Sequence, residues 1–271
     1  IAFVMTIARA EMFLLYVFSM QLQILLLCFV FIILAHGQFF CLTFKTLNYM
    51  SQLVKIKLIE HITHDVLHVK AEKPENFNYI PGQAVDISID KDNWRDVKSC
   101  FTFTSLPEDS DIEFTIKTYP SRKRVTNELL SAKAGDNIFV YKPFGDIKYK
   151  GEGIFLAGGA GVTPFIAIFK MLDKENKIGS NKLLFANKKK EDIILEDYFE
   201  NLLGDNFVNV LSEEKLTGYE NGYITADLIK SMMDDKTKYF YLCGPKPMMD
   251  AMEQQLASIG VSSDQIVKEG F

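Results

Sequence analysis

The chain has 271 residues and a formal net charge of −5, with 48% apolar, 24% charged and 13% aromatic residues. That balance buries a core and excludes wholesale disorder, while the acidic excess excludes a basic nucleic-acid surface. Cys28, Cys41, Cys100 and Cys243 form no CxxC pair, which argues against a disulfide framework, a metal site or an iron–sulfur cluster and for reduced thiols in the cytoplasm.

The first 49 residues differ from the rest, with Arg9, Glu11, His36 and Lys45 as their only Arg, Lys, His, Asp or Glu side chains. Phe13 to Ala35 is interrupted only by Ser19, Gln21 and Gln23, and at ~1.5 Å per residue it is long enough to cross a ~30 Å hydrocarbon core. Two readings stay open. One is a membrane helix that anchors an otherwise cytoplasmic protein. The other is a translated region upstream of Met50-Ser51-Gln52-Leu53, and the flanks do not fit a cleaved signal peptide.

From Leu53 the pattern turns to short β-rich runs: 53–60, 66–71, 84–89, 101–105, 112–118 and 137–141, with one helical stretch at 126–132. Turn residues separate them at Pro81-Gly82 and Pro107-Glu108-Asp109-Ser110, so residues 50–147 read as a small antiparallel barrel. Beyond Pro143-Phe144-Gly145 the pattern becomes βα units. Strands are expected at 154–157, 182–186, 207–211 and 239–242, with helices at 164–172, around Tyr198, at 226–233 and at 247–258. Residues 148–271 therefore read as an open parallel-sheet α/β domain.

The strand Ile154-Phe155-Leu156-Ala157 runs into Gly158-Gly159-Ala160-Gly161-Val162-Thr163-Pro164 and a helix. Glycines there let phosphate oxygens approach the backbone, the helix start favours an anion, and Pro164 suits a first turn. Cys243-Gly244-Pro245 closes a later strand, so both motifs fall at the carboxyl edge of a parallel sheet, where such folds bind ligands. Each alone is also compatible with a packed turn. In the barrel, Ser99-Cys100-Phe101-Thr102-Phe103-Thr104-Ser105 sets an aromatic ring beside a hydroxyl, suited to packing and hydrogen bonding on a planar ligand. An ordinary strand with alternating faces has the same pattern.

Taken in this order, these motifs resemble the ferredoxin-NADP reductase superfamily, particularly its compact bacterial flavodoxin-reductase-like members, across residues 52–271. The resemblance implies an FAD-binding barrel followed by an NAD(P)-binding domain. Its flavin motif R-x-[YF]-[ST]-x-x-S falls on residues 99–105, which implies Phe101 against the isoalloxazine and Thr102 near N5, with Phe103, Thr104 and Ser105 alongside. Ile116, Lys117 and Tyr119 match the second flavin strand, and Val125 with Thr126 matches the pyrophosphate-binding helix start. The family's opening Arg is Ser99 here. Lys98 lies on the other strand face unless the strand bulges, whereas Arg124, with Arg122 and Lys123, offers another cation.

In the second domain the resemblance implies that Gly158, Gly159, Gly161 and Thr163 hold the dinucleotide pyrophosphate. Cys243, Gly244, Pro245 and Met248 would border the nicotinamide, and Glu269 and Phe271 would end near the flavin. Cys243 reads as a small buried residue rather than a nucleophile. The run Asn187-Lys188-Lys189-Lys190-Glu191-Asp192 leaves NADPH and NADH both open. The expected activity is hydride transfer from NAD(P)H to FAD and onward electron transfer to a separate ferredoxin, flavodoxin, haem protein or oxygenase component. Two rivals are a nicotinamide-binding or redox-responsive module without turnover and a membrane-tethered reductase.

Overall fold

A computed structural model describes residues 51–121 and 124–269. The Phe13–Ala35 run lies outside them, as do Arg122, Lys123 and Phe271. Among the described residues, no helix is long and apolar enough to cross a membrane.

The first half is a six-stranded antiparallel sheet of β1 (Gln52–Thr63), β2 (Val66–Glu72), β3 (Ala84–Ile89), β4 (Ser99–Thr102), β5 (Asp111–Lys117) and β6 (Asn137–Val140), in the order β4-β3-β6-β1-β2-β5. Alternate residues point inward, so Val54 and Ile56, Val85 and Ile87, and Ile112, Phe114 and Ile116 share one core. The sheet closes on itself just beyond β4, through the Phe103–Phe114 bridge and a Thr104 N–H to Glu113 carbonyl bond of 2.8 Å. Continuing that register would set Thr102 opposite Thr115 and Phe101 opposite Ile116, yet among the described residues the bridge is the only β4–β5 pairing. The barrel therefore has an open seam. The helix expected over 126–132 is one α turn, α1 (Val125–Glu128), followed by a 3-10 turn at Leu129–Ser131.

The second half is a sheet of β7 (Gly153–Gly158), β8 (Lys182–Asn187), β9 (Phe207–Leu211), β10 (Glu220–Asn221), β11 (Tyr239–Cys243) and β12 (Ile266–Val267), all parallel, in the order β10-β9-β8-β7-β11-β12. The chain steps outward from β7 to β10 and then returns to the other side of β7, so the topological switch point lies between β7 and β11. Strand β7 is buried throughout and feeds both faces. Phe155 packs under α2 (Thr163–Lys174) and α3 (Glu196–Leu203), whereas Ile154 and Leu156 pack with residues of α4 (Ala226–Met232) and α5 (Lys246–Ser258). Burying each such side chain contributes about 1.5–3 kcal/mol. Strands β10 and β12 go unpredicted because two residues carry no periodicity.

Two features tie the halves together. Tyr241, fully buried and stacked on Phe155 at 4.1 Å, accepts bonds from the Lys150 and Gly151 amides at 2.9 and 3.1 Å and donates to the Gly151 carbonyl at 2.7 Å, pinning the connecting segment. Lys170 of α2 donates to the Thr104 carbonyl at 2.7 Å and lies 3.5 Å from Glu113, while Lys174 meets Glu108 at 2.7 Å.

Candidate dinucleotide and flavin site

The loop after β7 and the loop after β11 are in direct contact, and the glycines are the reason. A Cβ on Gly161 would stand 2.2 Å from the Cys243 carbonyl oxygen, and one on Gly158 would stand 2.3 Å from Met248 Sδ. Gly159 has φ +51 with open space above it, which leaves the loop's outer side free for a ligand. Thr163 donates its hydroxyl to the Ala160 carbonyl at 3.0 Å, so it shapes the loop rather than pointing out of it. Pro164 is buried in the first turn of α2, and Val162, the residue before the helix, supplies no side-chain cap. The Thr163 amide bonds back to the Ala160 carbonyl and Pro164 has none, so the preceding 3-10 turn closes the start of the helix.

Glu269 arrives at the same place from the chain's other end. Strand β12 pairs Ile266 with Phe240 and Val267 with Tyr241, and continuing this register sets Glu269 level with Cys243. Its carboxylate accepts the Asp146 amide at 3.1 Å and sits where a Cβ on Gly145 would meet it at 2.9 Å. Gly145 adjoins Phe144, which bridges Ala84, and Ala84 pairs with Thr102. The motif residues of both halves therefore meet around Glu269. Burial, with the Glu269 charge adding to it, pushes the Cys243 thiol up to about 12, so it stays a neutral side chain and not a nucleophile at physiological pH.

The flavin-motif residues divide into two sets. Phe101 and Thr102 are half-buried beside the open seam. The side chains of the other three, expected alongside the ligand, are buried in the barrel. Phe103 is fully buried, stacked on Tyr79 at 4.0 Å and tilted against Phe114 at 5.3 Å, because its position on the inward face makes it core. Ser105 Oγ lies 2.8 Å from Tyr79 Oη and accepts the Glu113 amide at 2.9 Å, and Thr104 is buried at the closure. These two hydroxyls hold the barrel shut.

On the second flavin strand, Ile116 and, at the helix start, Val125 point into the barrel core, which leaves them only backbone to offer. Lys117 pairs with Asp65 at 2.6 Å and stands 3.8 Å from Asp192 of the other half, so its charge is engaged in joining the halves. Tyr119 and Arg124 are exposed and Thr126 is half-buried. Since α1 is a single turn, its dipole is small, and loop amides with the Arg124 charge are what this end can offer an anion. Lys98 places its ammonium 3.8 Å from the centroid of the Tyr141 ring, away from the role left by Ser99.

At the carboxyl end of β8, Asn187 is buried, and neither its amide nitrogen nor its side-chain oxygen has a partner. A buried amide of this kind costs about 1–3 kcal/mol unless something bonds to it, which marks the strand end as a ligand-facing position. Lys188 is engaged with Glu213 at 2.7 Å. Glu213 and its neighbours after β9 escaped the sequence reading, although an acidic pair directly after a strand was a signal for it. Gly244 and Met248 pack against Gly158, and Pro245 leads into α5.

Comparisons with known proteins agree with this arrangement. Residues 48–182 match the FAD-binding domain family and residues 155–254 the oxidoreductase NAD-binding domain family. The chain is 29% identical over 253 residues to NADH-cytochrome b5 reductase 2 of Mycosarcoma maydis, covering 79% of this chain and 71% of that protein. It is 26% identical over 234 residues to the reductase component of propane 2-monooxygenase of Rhodococcus jostii, covering 80% of this chain and 62% of that protein. Its fold superposes with a TM-score of 0.69, at 17% identity, on a ferredoxin NADP+ reductase from Neisseria gonorrhoeae with bound FAD and NADP, covering 81% of this chain and 98% of that one. With both domain families matched in sequence order on this fold, the chain belongs to the ferredoxin-NADP reductase superfamily of FAD- and nicotinamide-dependent oxidoreductases.

Proposed function

We propose that this chain takes hydride from NAD(P)H onto FAD and passes the electrons to a separate acceptor protein, with a flavin barrel through residue 147 and a nicotinamide domain from residue 148. The observation that carries this reading is the meeting of the glycine loop, Cys243-Gly244-Pro245 and Glu269 with the half-buried residues of the open seam. FAD, when bound, accepts a hydride and releases electrons singly. The chain's own part is to orient and to exclude water. Phe101 offers a ring face and Thr102 a hydroxyl at the seam, and Tyr119 lies near its far end. Arg124 and the amides near Thr126 favour the flavin pyrophosphate. Gly158, Gly159 and Gly161 admit the dinucleotide phosphates, and Cys243, Gly244 and Pro245 wall the nicotinamide side, backed by Met248.

The acceptor's class is supported by the relatives, which are named as reductases of cytochrome b5 and of an oxygenase. A ferredoxin, flavodoxin, haem protein or oxygenase component fits here. The purified full chain is expected to be yellow and to bleach under argon on addition of NADH or NADPH. A colourless protein that takes up no FAD would instead make it a nicotinamide-binding or redox-responsive module, the rival favoured by Ser99 standing where the family has Arg. Arg124→Ala is expected to weaken FAD affinity about tenfold, the loss of one charge-assisted contact to phosphate. Unchanged affinity in a titration would remove Arg124 from the site. A membrane-tethered form, resting on residues 13–35, is decided by whether the full chain pellets with membranes.

A further inference from the structure

Part of the border between the barrel and the parallel-sheet half is not close-packed. A cleft of about 480 Å³ opens there, with Lys70, Asp111 and Glu113 on the barrel side and Lys170, Asp173 and Tyr198 on the other. Where side chains do not fill the space, packing does not set how far apart the halves stand. Val66, buried in the core of the second half, holds the halves together from the β1–β2 hairpin, but apolar contact is non-directional. Lys174 and Glu108 are both half-exposed, and such pairs contribute little. Lys117 and Asp192, 3.8 Å apart, lie beyond hydrogen-bond reach.

Lys170 crosses this border with a directed bond. Its ammonium donates to the Thr104 carbonyl at 2.7 Å and lies 3.5 Å from Glu113. Both ends of that bond are anchored. On the barrel side, Phe103 donates its amide to the Gln83 carbonyl at 3.1 Å, Thr104 donates to the Glu113 carbonyl at 2.8 Å, and Ser105 Oγ accepts the Glu113 amide at 2.9 Å. Thr104 stands two residues, about 7 Å, beyond Thr102 at the open seam. On the other side, every residue of α2 from Thr163 to Phe169 is buried, so the helix moves only as a body. Lys170 lies about 10 Å along the helix from Thr163, and the glycine turn Gly159–Val162 runs directly into the helix start.

We propose that Lys170 is a positioning residue for hydride transfer, setting where the glycine loop stands relative to the flavin strand through its bond to the Thr104 carbonyl; the inference rests on the reductase reading above. Direct hydride transfer requires donor and acceptor in near contact, and a misplacement of about 1 Å can cost about a hundredfold in rate. Lys170→Met keeps the side chain's length and removes the donor. Each half then keeps its own binding surface and the apolar contact at Val66, but the tie that aims one motif at the other is gone. Lys170→Arg keeps a charged donor for the same carbonyl. Glu113→Gln removes the longer ion pair and leaves the bond to Thr104 in place.

The test uses the full chain loaded with FAD, mixed under argon with saturating NADH or NADPH, whichever the unsubstituted protein uses better. Lys170→Met is expected to slow flavin bleaching by about tenfold or more, with FAD affinity and the half-saturating coenzyme concentration kept within about twofold. Lys170→Arg is expected to recover the rate to within about threefold, and Glu113→Gln to hold it there while lowering the unfolding temperature. Hydrogen exchange of the FAD-loaded protein without coenzyme is the second readout. Lys170→Met should quicken exchange in peptides spanning residues 99–106 and 158–164 together, well below the unfolding temperature. An undiminished rate in Lys170→Met, no recovery in Lys170→Arg, equal losses in Lys170→Met and Glu113→Gln, or unchanged exchange in either segment would overturn the proposal. Unsubstituted protein that binds FAD yet is bleached by neither coenzyme would sink the reductase reading, and coupled exchange of the two segments would still leave the tie standing.

Discussion

At the residue scale, the glycines of the loop after β7 have separate duties, and Gly161 is the least replaceable. Its missing side chain is what lets the Cys243 carbonyl approach. Gly161→Ala is expected to destabilise the fold by about 1–3 kcal/mol, the usual cost of overpacking, and to raise KM for the nicotinamide as the two loops separate. Thermal unfolding and steady-state kinetics check both. Cys243 sits beside that contact as a neutral thiol. Iodoacetamide at pH 7.5 is therefore expected to leave Cys243 largely unmodified over a time in which a free thiol reacts fully, with peptide mass mapping as the measurement. The loop's glycines were visible in the sequence because glycine spacing is a local signal. The inward ring of Phe103 and the engaged hydroxyl of Ser105 were not, because a strand's two faces become distinguishable only once the register is known.

At the element scale, β2, β5 and α2 meet in a charged cluster that joins the two halves. His68 Nε2 and Lys170 Nζ each lie 3.5 Å from Glu113. The hydrogen bond from His68, with Lys170 nearby, holds the Glu113 carboxyl down at about 2, and the same bond raises His68. The signs follow directly. Glu113's contribution is present above its unfolded value of about 4.5 and is lost as pH falls through about 2. His68's contribution is full below about 6.5 and fades as pH rises through its raised folded value. Denaturant unfolding should therefore show the cluster's full stabilisation between about pH 4.5 and 6.5, with a decline above that range which His68→Gln flattens. Lys170→Met should cost about 1.5–3 kcal/mol, the worth of a hydrogen bond from a charged donor, with Thr104 and Glu113 left short of a partner. Nothing in the local sequence marks Lys170 for this role, since its partners lie 66 and 57 positions away. The major strands and helices were legible from their periodicity.

At the scale of the whole molecule, the described residues from 51 to 269 form one compact unit. A chain cut to residues 51–271 is expected to fold, bind FAD and oxidise NAD(P)H with kcat within about twofold of the full chain, as read by flavin absorbance and turnover. The domain order was legible because the shift from closely spaced strands to βα units is a change of period. The pairing of Lys188 with Glu213 was not, because it is assembled from loops that follow two different strands and acquires its charge balance only when folded.

The unpaired stretch of β4 facing β5 has one more consequence, for how the protein behaves before it is loaded. An exposed strand edge is a template for another chain, so a freshly made, flavin-free molecule carries an open border beside the proposed flavin site. Occupancy at a hundred times the dissociation constant would add about 2.7 kcal/mol, and it would also blunt that border. Cofactor supply during synthesis should therefore govern how much of the protein survives as monomer: riboflavin-starved cells should yield it in inclusion bodies, and riboflavin-fed cells in the supernatant.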